Sequence, residues 1–393
     1  MKKNLFLLIC ILLLSSCLNE EQTAALATFE IQATLPEDCV DIDMTKIVVK
    51  IQNKDFPVVY QKNLDADGKV GFLIESGRYS ATISSRTVDG IFNSLCSEFI
   101  LTNSGILNTE QGGLSNVLTM KLEVAAPGGL IFREIYYVGS KTSLGTSYLK
   151  DQYFELYNNT ADTFFLDSLC IGGIFPVNTT GTNFSWQGKD TIALFQMVWR
   201  IPGAGHDYPL GPGKSAVIAM NAVDHTGLGS SNLNMSKAHF GFYDPLLAGH
   251  EKHPDVPALI RIVVGQGTAY SISVGSPALV IFRPAMGVQA YLNNRAKWER
   301  YQPGTSSGTK YWHIAKEWIL DGVECSTGTT INIKRLPVAI DAGFAYTEGN
   351  NSGLAIRRKV EQVLPDNRII YQDTNNSSVD FEINVTPAPR LKP

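Results

Sequence analysis

Short runs in which apolar and polar residues alternate, each closed by a cluster of turn formers, restrict this chain to a strand-built fold. Lys46-Ile47-Val48-Val49-Lys50-Ile51-Gln52 is β-branched and nearly alternating, the pattern of a strand with one buried face. Residues 70–74 and 79–83 supply two more such runs around Ser76-Gly77. Between them and the first run, Asn63-Leu64-Asp65-Ala66-Asp67-Gly68 supplies turn residues, with Gly68 free to take positive φ. The spacing of these acids also matches the front half of a calcium-binding loop. The twelfth position, which should hold a bidentate glutamate, is Ile74, so a hairpin turn is expected instead. Charged residues make up only 18%, and Gly, Thr, Ser and Asn are plentiful, as in β-rich extracytoplasmic proteins. A length of 393 residues with 44% hydrophobic side chains allows two or three cored domains. Ala125-Ala126-Pro127-Gly128-Gly129 is the strongest punctuation and sets a boundary, with a small β-domain expected over 29–126 and a larger one over 129–393.

The beginning of the chain concerns its address. Met1-Lys2-Lys3, the apolar run 5–14 and the small residues before Cys17 form a secretory signal peptide over 1–16, too short to span a bilayer. Leu14-Ser15-Ser16-Cys17 resembles the lipobox of bacterial lipoproteins, which implies that Cys17 is the lipid attachment site and the first mature residue. Acyl chains contribute roughly 0.8 kcal/mol per buried CH₂, so a multiply acylated Cys17 would hold the chain stably on a membrane, with 17–28 as a flexible linker. Leu18-Asn19-Glu20-Glu21-Gln22 resembles the surface-export signal of Bacteroidota lipoproteins and implies the outer face of the outer membrane. Losing Lys2 and Lys3 leaves 31 basic against 37 acidic side chains, a mature charge of −6. With no basic run, nucleic acid is a poor partner. No segment after Cys17 approaches the ~20 apolar residues of a transmembrane helix, so the expected membrane contact is the lipid anchor.

Cys39, Cys96, Cys170 and Cys325 remain after the leader and the anchor are set aside. An oxidising compartment permits disulfides, and the domain boundary makes Cys39–Cys96 and Cys170–Cys325 the first pairings to try, with buried free thiols the alternative. None sits in a CxxC spacing, so zinc and thioredoxin-like chemistry are unsupported. His239, His250 and His253 lie in one stretch with Asp244, Glu251 and Asp255, a density that could bind a transition metal. Pro254 discourages the helix that would align His250 with His253, and exposed loop histidines are the simpler reading. Gly304-Thr305-Ser306-Ser307-Gly308 fits a nucleophile elbow by letters, but its flanks lack the required strand and helix. Five tryptophans, Trp186, Trp199, Trp298, Trp312 and Trp318, could supply an aromatic platform, although tryptophans more often anchor cores. No phosphate-binding or dinucleotide loop is present, and no cofactor is expected.

Residues 65–83 resemble the carboxypeptidase-regulatory, transthyretin-like β-sandwich, whose modules mostly act as spacers or stalks. Leu130-Ile131-Phe132-Arg133-Glu134-Ile135-Tyr136-Tyr137 and Gln152-Tyr153-Phe154-Glu155-Leu156-Tyr157-Asn158-Asn159 resemble the opening of the lamin-tail domain, an immunoglobulin-like sandwich. Phe165-Leu166-Asp167-Ser168-Leu169, the stretch 208–219, Ile356-Arg357-Arg358-Lys359 and the stretch 373–381 match its later elements in order. In this pair of strands Phe154, Leu156, Ile131 and Ile135 should enter a core, while Glu134 and Glu155 point outward to a solvated or salt-bridged face rather than acting as an acid–base pair. Asp167-Ser168-Leu169 and Asp190-Thr191-Ile192 resemble the Bacteroidota O-glycosylation signal, which implies Ser168 and Thr191 as acceptors.

The whole chain resembles the Bacteroidota lipoprotein family DUF4876. The resemblance implies an all-β fold of two immunoglobulin-like β-sandwich domains in tandem, the second enlarged by a long insertion at about 220–320. The expected function is a non-catalytic surface lipoprotein that binds a small-molecule or glycan ligand or a partner, as an accessory to a TonB-dependent nutrient or metal-complex transporter. Binding is expected in the 220–320 region, which carries the histidines and Trp298. The alternatives are a metal-dependent hydrolase using His239, His250 and His253, and a structural or adhesive spacer.

Overall fold

In the computed structural model, residues 26–36, 42–87, 90–94, 96–108, 113–125, 128–179, 191–263, 269–303 and 305–393 are described. Cys17, Cys39, Trp186, Asp190 and Gly304, and with them the lipid-attachment and Cys39–Cys96 expectations, fall outside these residues. The smaller sandwich is built from the alternating runs. Leu26–Thr34 pairs antiparallel with Lys69–Glu75 and parallel with Val117–Ala125, and Val48–Asn53 pairs with Gly77–Thr87 and Val59–Asn63. Alternate positions face the core along each strand, odd-numbered in Leu26–Thr34 and even-numbered in Lys69–Glu75, placing Phe29, Ile31, Phe72, Ile51 and Tyr79 in one cluster. Lys46 leaves the expected strand: Asp43 accepts the Thr45 amide at 3.1 Å, and residues Met44–Lys46 make a 3-10 turn. In the 65–68 turn, the Asp65 carboxylate accepts the amides of Asp67 (3.0 Å) and Lys69 (2.8 Å), and Gly68 takes φ +75°. A Cβ at Gly68 would stand 2.9 Å from the Ala33 carbonyl oxygen, so the position needs glycine twice over. Ile74, 3% exposed, is a core residue, but the turn is not a hairpin: Val59–Asn63 before it pairs with Val48–Asn53, whereas Lys69–Glu75 after it pairs with Leu26–Thr34.

Gly128-Gly129 leads into the larger sandwich. One sheet has six strands in the order Phe240–Gly241, Ser215–Ala219, Tyr153–Asn158, Leu130–Tyr136, Ala355–Arg358 and Phe381–Val385. The facing sheet runs Glu299–Tyr301, Lys310–Ala315, Thr191–Arg200, Cys170–Ile174, Ala278–Phe282, Ile319–Ser326 and Ala345–Tyr346, with Ile260–Val263 also paired to Thr191–Arg200. Phe132, Phe154, Leu156, Ile171, Trp199, Ile281 and Val323 belong to the core they share. The stretch expected as an insertion is woven into this framework, since Ala278–Phe282 is a central strand of the second sheet. Some of its residues also build a second apolar layer, in which Tyr291, Trp298 and Trp318 pack with Cys170, Leu194 and Phe282.

Three expectations need correction. A β-bulge between Phe132 and Glu134 shifts the register, so Ile135 enters the core but Ile131 turns away to pack with Tyr157 and Tyr371. Glu134 and Glu155 do face away from the core, directly opposite each other and salt-bridged to Arg133 and Arg357 as one of the two readings expected, but both are 0% exposed rather than solvated. Cys170 and Cys325 are free, buried thiols. Cys170 is level with Phe282, which is level with Ile319, and Cys325 lies six residues beyond and two strands across. That separation exceeds about 20 Å along the sheet, whereas a disulfide needs Cα atoms within roughly 7 Å.

Buried charge ties the two sheets. The Arg358 guanidinium, 3% exposed, meets Asp321 (3.1 Å), Asp373 (3.0 Å) and Asp380 (3.3 Å), and its Nε donates to the Phe132 carbonyl at 3.0 Å. Asp321 comes from the second sheet and also accepts the Phe132 amide at 2.6 Å. Asn376 accepts the Ser378 amide at the start of the short helix Ser377–Asp380, which sets Asp380 beside Arg358.

Candidate ligand-binding cleft

The second apolar layer has a rigid aromatic centre. The Tyr291 ring lies edge-on to Trp298, Trp312 and Trp318 at 5.7, 5.2 and 5.6 Å, and its hydroxyl donates to the His313 carbonyl at 2.9 Å. Burial holds that hydroxyl well above the ordinary phenol range, so it stays a neutral donor. Trp298 and Trp318 are buried and Trp199 sits in the main core, leaving Trp312 half-buried at the layer's margin.

Beyond Trp312 opens a cleft of about 850 Å³. Phe195, Tyr301, Tyr311 and Trp312 give it aromatic walls, while Arg295, Glu299 and Lys310 give it a polar rim. Glu299–Tyr301 and Lys310–Ala315 form a hairpin that sets Glu299 opposite Trp312 and Tyr301 opposite Lys310. The lining is held in place by its neighbours. Tyr311 packs on Phe175 at 4.2 Å, the Lys310 ammonium lies 4.8 Å from the Tyr301 ring centre, and Arg295 grips Glu299 through two bonds of 2.9 Å. An amphipathic wall of this kind stacks flat apolar faces and hydrogen-bonds their polar edges. The Arg295–Glu299 fork pairs the two groups with each other at the rim.

Other sequence candidates are distributed elsewhere. His239 accepts the Val217 amide through Nδ1 at 3.1 Å, and burial, with Lys392 nearby, lowers it to about 4. The His250 ring lies between the carbonyl oxygens of Phe242 (2.9 Å) and Tyr270 (3.1 Å), parallel to Trp199. His253 accepts the Asp255 amide at 3.2 Å. Each histidine therefore serves a different stretch of backbone, and among the described residues no three His, Cys, Asp or Glu side chains could hold a metal ion together. Ser306 lies in the loop of the 299–315 hairpin, without the helix that a nucleophile elbow requires. Asp167, 4% exposed, accepts the amides of Gly205, Asp207 and Tyr208, and Leu169 is a core residue, so two positions of that glycosylation motif serve the fold. Ser168 between them is half-buried at φ +59°, and the Thr191 hydroxyl lies 3.2 Å from His313 Nδ1. Cys96 is exposed.

Glu134 and Glu155 are fully engaged. Arg133 reaches Glu155 at 2.7 Å and Glu134 at 3.4 Å, while Arg357 and the Tyr153 hydroxyl also hold Glu134. The C-terminal segment closes over them: the Ala388 amide donates to Glu134 at 2.7 Å and the Arg390 amide to Glu155 at 3.2 Å. Sequence reasoning missed the cleft's Phe195, Arg295, Glu299, Tyr301 and Tyr311. The signal available was Tyr311-Trp312 directly after a Gly/Ser-rich loop.

The family described as protein of unknown function (DUF4876) matches residues 211–388. A crystal structure of a DUF4876 family protein from Bacteroides thetaiotaomicron is similar over nearly its whole length, with 26% identity, 93% of this chain and 96% of that chain covered, and a TM-score of 0.60. The chain is thus similar to the DUF4876 family, by sequence in its second half and by structure over nearly its whole length. The DUF4876 match contains every cleft-lining residue except Leu194 and Phe195. A proposed adhesin from Bacteroides ovatus (12% identity, 65% and 78% of the two chains, TM-score 0.18) is too distant to carry weight. The same holds for a proposed cell adhesion protein from Parabacteroides distasonis (9%, 74% and 84%, TM-score 0.20). Among curated proteins, none matches the sequence. No helix among the described residues is long and apolar enough to cross a membrane.

Proposed function

We propose that this protein is a non-catalytic module of the outer cell surface, held by acylated Cys17, that binds a carbohydrate in the cleft beside Trp312. One observation carries the reading: aromatic side chains line a cleft that Arg295, Glu299 and Lys310 rim. Sugar rings present apolar C–H faces to aromatic planes and hydroxyl edges to charged groups, so each half of the lining has a matching half in the ligand. Because the walls are braced by Phe175 and Tyr291, little ordering entropy opposes binding. Accessory service to a TonB-dependent transporter extends the same reading, the module capturing cargo before uptake.

The test is binding of the purified full chain to a panel of soluble polysaccharides, followed by calorimetry on those retained. Tyr311→Ala and Trp312→Ala should each weaken binding about tenfold or more, the cost of losing one stacked aromatic contact. Retention of a glycan at undiminished affinity by both variants would place binding elsewhere, and retention of none would remove the carbohydrate class. Co-purification from outer membranes with a TonB-dependent transporter checks the extension.

A further inference from the structure

The two ends of the smaller sandwich differ in kind. One end docks on the larger sandwich: Asn93 donates to the Thr374 carbonyl at 2.7 Å, the Ser84 hydroxyl meets Thr374 at 3.1 Å, and Glu123 accepts the Ala339 amide at 2.8 Å. The strands pair so that Leu26, the 53–58 loop and the 75–77 turn lie together at the opposite, free end. There Phe56 is 67% exposed, Leu26 61%, Leu73 60% and Val58 40%. Leu26 and Leu73 share one outward face, diagonal to each other across paired strands, while Phe56 and Val58 come from the other sheet. Nine of the seventeen exposed large apolar side chains among the described residues belong to this smaller unit, so their concentration is not the ordinary scatter of a soluble surface. The loop carrying Phe56 is built: Asn53 accepts the amides of Asp55 (2.8 Å) and Phe56 (2.9 Å).

We infer that this free end rests on the lipid surface, with Phe56, Val58, Leu26 and Leu73 entering the headgroup boundary. The inference rests on the proposed acylation of Cys17. Eight residues separate Cys17 from Leu26, so the chain between them reaches at most about 30 Å, and the end that carries Leu26 cannot leave the bilayer's vicinity. The cations at this end are matched: Lys54 pairs with Glu98 at 2.6 Å and Arg78 pairs with Asp55. The contact is therefore apolar insertion rather than attraction to anionic headgroups, and neutral phosphatidylcholine suffices. Docked in this way, the smaller sandwich acts as a foot that fixes the orientation of the larger one and its cleft above the membrane.

Hydrogen exchange of the acylated full chain on phosphatidylcholine vesicles tests this against the Cys17→Ser chain free in the same buffer. Amides in 54–59 and 73–77 should exchange roughly tenfold slower on vesicles, the factor that desolvating one large apolar side chain provides. The double variant Phe56→Glu and Leu73→Glu, made at exposed positions, should lose that protection while staying vesicle-bound through Cys17. An acylated, vesicle-bound chain without slower exchange at these segments overturns the foot and leaves the anchor standing. A mature chain without acyl groups overturns the anchor and the foot with it. Protection that grows with protein concentration in the absence of vesicles assigns the face to a second copy and overturns the lipid reading.

Discussion

Replacing Arg358 by Met removes the cation that meets Asp321, Asp373 and Asp380 while keeping most of the side-chain volume. Wild-type Asp321 and Asp380 are each pushed up to about 7, burial being the larger cause and Arg358 pulling the other way. Both values exceed those of the unfolded chain, near 3.8. Stability attached to these groups is thus fully present below pH 4 and is lost as pH rises through about 7. Without Arg358, Asp321 and Asp380 rise further and can stay buried only by keeping their protons. At pH 8, leaving buried carboxylates unpaired costs about 3–5 kcal/mol. For a unit the size of the larger sandwich, that lowers the melting temperature by roughly 10 °C. At pH 5 Asp321 and Asp380 are largely protonated and the difference from wild type should shrink to a small fraction. Denaturant unfolding of both chains across pH 5–8 reads this directly, and adding Asp321→Asn and Asp380→Asn to the variant should return part of the loss at pH 8. A deficit under about 1 kcal/mol at pH 8, or an equal deficit at both ends of the range, would refute the view that Arg358 compensates these acids.

Removing residues from 386 onward should destabilise the larger sandwich by about 2–5 kcal/mol in denaturant unfolding, since Glu134 and Glu155 each lose a backbone donor; no loss would show that water replaces the segment at no cost. The Cys170 thiol, raised to about 12 by burial, and the equally buried Cys325 should resist alkylation at pH 8 in the native chain and react once it is denatured, as mass spectrometry of the labelled peptides will show.

The smaller sandwich was legible because its information is local. Residues 48–53, 69–75 and 77–87 alternate on a period of two, and Asp65 to Gly68 is a turn whichever partner the strands find. Lys46 was misplaced because a side-chain cap, Asp43 on Thr45, outcompeted strand pairing at its edge. In the larger sandwich the opening strands were recognisable, but their faces were not, because a single bulge at Arg133 inverts the parity of everything before it. The closing motifs were visible as letters. Their meaning, three acids gathered on one guanidinium, depends on Asp321 arriving from the other sheet. The cleft was the least legible element for the same reason. Phe195, Tyr301 and Trp312 lie more than a hundred residues apart at the extremes and meet only through the pairing of Thr191–Arg200 with Lys310–Ala315 and of that strand with Glu299–Tyr301. Sequence identified the region through Trp298, yet that tryptophan serves the layer behind the wall, and its neighbour Trp312 faces the opening. Side chains that hold a site and side chains that present it carry the same letters, and only the register of long-range pairs separates the two roles.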